Sequence, residues 1–173
     1  MKKFSALAAG LALVAVTTAA NAQLVSTTAN PGSVTTYATV TVPTIIRLTI
    51  NDTSTSIAAP TETDFDNGFQ DVGAAVTATV KSNKAWSLSI KGGAATWTGT
   101  VGAQASKAVG DLRWRTAGAA PGTALTTSNV SIASSASGTA GTATNVSYDI
   151  VWAYASDTPG TYTIPVIFTA AAP

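Results

Sequence analysis

Apolar and polar side chains alternate along most of this chain with a period of two, and that alternation predicts strands. Over residues 34–42, Ala38, Val40 and Val42 share one face, and Pro43 ends the run. Over 44–50, Ile46, Leu48 and Ile50 share a face, with Arg47 and Thr49 opposite. Such alternation is the signature of a half-buried strand. It returns at 75–81 through Val76, Ala78 and Val80, and at 84–91 through Trp86, Leu88 and Ile90. Ser82-Asn83 between them reads as the turn of a tight hairpin. Shorter strands are expected over 95–101, 111–116 and 129–132, with most of 117–145 as loop. Near the end, Val146, Tyr148, Ile150, Trp152 and Tyr154 share a face, as do Tyr162, Ile164, Val166 and Phe168. Pro165 cannot donate to a ladder, which predicts an edge position or a bulge for the last strand.

No apolar stripe with helical period runs through residues 23–173. Eight to ten short strands between Gly, Pro, Asn and Ser turns predict an all-β fold. The expected architecture is a single antiparallel β-sandwich, with Ig-like or jelly-roll-like connections, over residues 34–173.

The N-terminus reads differently. Lys2 and Lys3 precede an apolar run to Val16, and Ala20-Asn21-Ala22 supplies a small-x-small cleavage pattern. This predicts a cleaved signal peptide over 1–22 and a flexible leader or detached first strand over 23–33. The apolar run is shorter than a membrane span needs, and no later segment is long and apolar enough for one. Export to the periplasm, the cell surface or the exterior follows. Cleavage would turn the formal charge of +1 into an excess of one acid, by removing two of the nine basic residues. A chain with so few cations makes a poor nucleic-acid ligand, since that binding rests on phosphate neutralisation.

Composition narrows the chemistry. There is no His and no Cys, and 10% of residues are charged. Ser-His and Cys-His nucleophiles are therefore excluded. The Lys residues, including Lys84 and Lys107 next to serines, fall where solvated turns are expected, so no enzymatic site is expected. Residues 51–73 hold most of the acid, and Glu62, Asp64 and Asp66 with Gly68 form a candidate calcium loop, because calcium takes several oxygen ligands. The alternative is a polar turn whose Asp and Asn bond their own backbone. Of the four tryptophans, Trp86, Trp114 and Trp152 sit on apolar faces. Trp97 has only Thr96, Thr98 and Gly99 around it, which makes it the expected exposed ring and a candidate for stacking on a sugar. Arg113 and Arg115 are expected on the solvent face.

Trp86-Ser87-Leu88, and the later stretch from Tyr148 through Trp152-Ala153-Tyr154 to Pro159, resemble the paired Trp-x-Leu motifs of WxL-type bacterial surface domains. Tyr154 stands in the place of the second Leu. The resemblance implies attachment to cell-wall polysaccharide through Trp86, Trp152 and Tyr154. The closing segment from Asp157 to Thr169 resembles the terminal strands of exported fimbrial and coat-type proteins. The expected function is a non-enzymatic structural or adhesive surface protein, assembling with itself through strand edges. A wall- or carbohydrate-binding module and a calcium-dependent adhesin are the alternatives.

Overall fold

The computed structural model describes residues 35–100, 103 and 106–173. The expected signal peptide over 1–22 and leader over 23–33 lie outside the described residues. The chain divides into two units, Met1–Thr41 and Val42–Pro173.

In the first unit, residues 35–41 have no regular secondary structure and are exposed, Tyr37 by 91%. In the second, Val42 and Ile45 are also exposed. The strand expected over 34–42 is therefore not formed across its described residues. Its alternation is real, but a strand without a hydrogen-bonded neighbour is not stable by itself.

Nearly all the regular structure described in the second unit is β strand. Its strands are β1 (Ile46–Ile50), β2 (Phe69–Ser82), β3 (Trp86–Gly92), β4 (Thr98–Gly99), β5 (Leu112–Arg115), β6 (Thr123–Ala124), β7 (Val130–Ser135), β8 (Thr139–Val151), β9 (Tyr162–Thr163) and β10 (Val166–Ala171). All pairings are antiparallel. A five-stranded sheet runs β1-β2-β8-β5-β6, a three-stranded sheet β10-β3-β7, and a two-stranded ribbon β4-β9. Among the described residues, no helix is long and apolar enough to cross a membrane.

The alternation puts matching faces into the core. Val76, Leu112, Val146, Tyr148 and Ile150 of the five-stranded sheet share one buried cluster with Ile90 of the three-stranded sheet. Ala78 and Val80 form a second cluster with Trp86 and Leu88 of β3, flanked by Ile46 and Leu48.

Long-range pairing revises several expectations. Ser82-Asn83 is not a hairpin turn, because β2 and β3 belong to different sheets. Instead Asn83 turns back to the start of β1: its Oδ1 accepts from Ile45 N at 2.9 Å and its Nδ2 donates to Pro43 O at 2.8 Å. That ties the corner to β1 rather than to β3. β7 lies where a strand was expected over 129–132, but the rest of 117–145, expected as loop, contains β6 and the first half of β8. These stretches are rich in Ala, Gly, Ser and Thr, so they carry little apolar contrast, yet their backbones pair. β8 stops at Val151, so Tyr154 is not on its inward face; it lies in a turn and is 65% exposed. Pro165 separates β9 from β10, which join different sheets, and β10 is an edge strand as proline predicts.

Leu88 is fully buried, whereas Val40 is 84% exposed. Leu88→Ala should lower unfolding stability by about 2–5 kcal/mol. Val40→Ala should stay within about 0.5 kcal/mol of wild type. Urea titration of the monomer measures both, and equal losses would contradict this burial.

Candidate functional site

A groove of ≈ 940 Å³ with an apolar floor and a largely polar first wall, Asp52 to Ser56, lies over the five-stranded sheet. Residues 52–60, which carry no strand, form one wall, and residues 160–166 form the other. The floor is the five-stranded sheet, through Val76, Leu112, Tyr148 and Ile150, with Trp97 and Trp152. Burial pushes the Tyr148 hydroxyl up to about 12, so it stays protonated at neutral pH. Gln70 holds the first wall down: its Nε2 donates to Ala58 O at 3.1 Å, while its Oε1 accepts from Trp152 Nε1 at 3.3 Å. The strands bordering this side, β1 and β10, are edges of their sheets and touch one another.

Trp97 is the first correction among the proposed site residues. It is 6% exposed, and its indole N–H donates to Ala108 O at 2.9 Å. The small neighbours that suggested exposure leave room for Thr96 to bridge to Ala108 and for the Trp97 N–H to reach Lys107 O, and these contacts fold the ring inward. Trp86 and Trp152 are buried at 2% and 7%, so neither face is open for stacking. Tyr154 is the exposed member of the set. Its ring stacks on Phe65 at 4.9 Å, and its hydroxyl donates to Asp66 at 3.2 Å. Partial desolvation and then the Asp66 carboxylate raise its pKa.

The acids proposed for calcium do not come together. No group of three or more such ligands able to hold a metal occurs among the described residues. The segment is not a loop but a short helix, α1 (Glu62–Asn67), and Asp64 closes its N-terminus. Thr61 N and Oγ1 both donate to Asp64 Oδ2 at 2.7 Å. Asp64 is thus committed to a capping box, and Asp66 to Tyr154. The Thr-x-x-Asp spacing was the readable signal for this cap.

Two charged clusters were not foreseen. Lys107, expected in a solvated turn, is 1% exposed. Its Nζ donates to Val151 O and Asp157 Oδ1, each at 2.7 Å, and lies 4.4 Å from the Trp152 ring centroid. Asp149, on the supposedly polar face of β8, is completely buried. It accepts from Arg115 Nη1 through Oδ1, and from Gly122 N at 2.6 Å through Oδ2. Arg115 also reaches Asp71 at 2.7 Å. Gly122 makes this possible because a Cβ there would collide with the Trp114 carbonyl. Gly73 has φ 69° at a bulge in β2, which suits glycine, and its N–H bonds Asp71 at 2.8 Å.

No family model, curated protein or solved structure matches this chain. Function must therefore be argued from these sites.

The Arg115 hydrogen bond, followed by the Gly73 N–H, holds the Asp71 carboxyl below its ordinary value. Its folded state therefore binds a proton less readily than its unfolded state. The resulting stability is complete above the unfolded value of about 4 and is lost as the pH falls through the lowered folded value. The difference in melting temperature between wild type and Asp71→Ala should shrink to nothing over that acid range. Asp71 is 47% exposed, so its removal should cost about 0–1 kcal/mol at neutral pH. Asp149→Ala leaves Arg115 Nη1 and the Gly122 N–H without their buried acceptor and should cost about 3–5 kcal/mol. Similar losses from the two variants would refute the burial argument.

Proposed function

We propose that the protein is an exported, non-enzymatic β-sandwich subunit of a surface assembly, joined to a second copy by strand addition. The single observation that carries this is an uncharged segment, patterned as a strand, that forms no strand among the described residues. Residues 35–42 are exposed, yet Ala38, Val40 and Val42 alternate as a buried strand would. The same chain keeps a groove with an apolar floor between a strandless wall and the β9–β10 wall, next to two sheet edges. An extended segment laid on such an edge gains main-chain hydrogen bonds, and its alternate side chains fill the groove. Neither the segment nor the groove floor carries charge, so the match costs no ion desolvation. The core residues shared between the two larger sheets support the sandwich, and the basic, apolar N-terminus supports export. The absence of His and Cys agrees with a role without turnover.

A second reading, binding of cell-wall polysaccharide, is favoured by Tyr154. An exposed ring beside the Asp66 carboxylate offers a stacking face and an acceptor for sugar hydroxyls. Under this reading the ligand meets Tyr154, because Trp86, Trp97 and Trp152 are covered.

Val40→Asp with Val42→Asp should abolish assembly while leaving the monomer folded, since both side chains are exposed. Size-exclusion chromatography and electron microscopy would show wild-type polymers and variant monomers. A peptide of residues 34–42 should raise the variant's melting temperature, as a ligand of the native state does. Polymers of unchanged size in the variant would reject strand addition. Retention of wild type but not Tyr154→Ala on purified wall polysaccharide would instead support the second reading.

A further inference from the structure

Buried lysines are rare, and Lys107 is built into a site that does more than neutralise it. Its Nζ meets Asp157 Oδ1 at 2.7 Å, with side-chain exposures of 1% and 4%. The rings of Trp152 and Tyr162 lie 4.4 and 5.9 Å from the nitrogen. A second carboxylate, Asp111 Oδ2, stands 3.8 Å away and accepts from Ala108 N at 3.2 Å. The other oxygen of Asp157, Oδ2, accepts from the backbone N–H of Ala153 at 2.8 Å.

We propose that Lys107 and Asp157 join through an intramolecular amide bond, with Asp111 carrying the proton. In the first step the Lys107 ammonium passes one proton along its hydrogen bond to Asp157 Oδ1, leaving an amine beside a carboxylic acid. The 2.7 Å contact holds the nitrogen against Oδ1, the atom bonded to Cγ, so a small rotation of the carboxyl group brings Cγ into line for attack. The amine attacks Cγ. Negative charge develops on Oδ2, where the Ala153 N–H already points, as donors in an oxyanion hole do. Asp111 takes a second proton from the nitrogen and delivers it to the Oδ1 hydroxyl, which leaves as water. The third proton stays on the amide nitrogen, where it keeps the bond to Val151 O. The nitrogen loses two protons and Cγ loses one oxygen, so one water is released and no oxidant or co-reactant is needed. In bulk water this condensation runs backwards. Fixed neighbours act at effective concentrations of about 10⁵–10⁸ M, and the burial of Lys107 and Asp157 slows the competing hydrolysis, while Asp111, 33% exposed, gives the released water a way out. The event happens once per molecule and would lock the chain before the 3₁₀ turn Val109–Asp111 to the turn that follows β8. It does not depend on how the protein assembles.

Tryptic mass spectrometry of the full chain tests it. Trypsin cuts after Lys91, Arg113 and Arg115, and after Lys107 only if its amine is free. The expected product is fragment 92–113 joined to fragment 116–173, lighter by one water than their sum. Lys107→Arg keeps the charge but offers no amine, and should release fragment 116–173 alone. Asp111→Asn should slow cross-linking after refolding by about 100-fold or more, the scale of lost proton transfer. A wild-type digest holding only separate fragments 92–107 and 116–173 would overturn the proposal and leave a buried ion pair. Loss of water confined to fragment 116–173 would also overturn it, since that marks a cyclised aspartate. Unchanged cross-linking in Asp111→Asn would overturn the role of Asp111.

Discussion

The antiparallel pairing of β2 with β8 is the constraint on which the rest depends. These are the two longest strands, and their register runs from Phe69 opposite Val151 to Ser82 opposite Thr139. β1 adds to the free side of β2, and β5 to the free side of β8. The pair's apolar face supplies Val76, Val146, Tyr148 and Ile150 to the main core cluster. Its bulge at Asp71/Gly73 turns the Asp71 carboxylate toward Arg115 on β5. Register and bulge together therefore decide both the core and the polar network on the opposite face.

That network and the Lys107 corner solve the same problem in different ways. A buried ion costs several kcal/mol in lost hydration, which only close, well-directed partners offset. Asp149 draws on an arginine and a backbone N–H brought close by the absence of a side chain at Gly122. Lys107 has a carbonyl, a carboxylate and an aromatic face. Both arrangements are local and directional. The groove is the reverse case: an apolar floor partly covered by a wall without strand structure.

Some of this was legible in the sequence. β1, β3 and β5 fall within a residue or two of where alternation put them, because β1 and β3 each have three strongly apolar positions at period two and β5 has two. Pro165 signalled an edge or a bulge in a single strand over 162–168; instead the run breaks there, and its second half, β10, is a sheet edge. The first half of β8 was not legible: Thr139 to Asn145 is built from small and polar residues, so neither face stands out. The acidic stretch at 62–66 was misread because carboxylates have several uses; the one at Asp64 closes a helix end. Trp97 was misjudged because its small neighbours can flank an exposed ring or make room for a buried one.

By itself the sequence determined the class of fold, most of the strands and which of their faces are apolar. It also determined that His and Cys chemistry is absent. Tertiary structure alone decided that β2 and β3 part into different sheets, that Lys107 and Asp149 are buried, and that 35–41 carry no strand. The reason is physical. Alternation is a local property that tells a strand which side to hide, whereas partners, register and the enclosure of a charge depend on residues far away along the chain. Lys107 meets Asp157 and Arg115 meets Asp149 only after the sheets have closed around them.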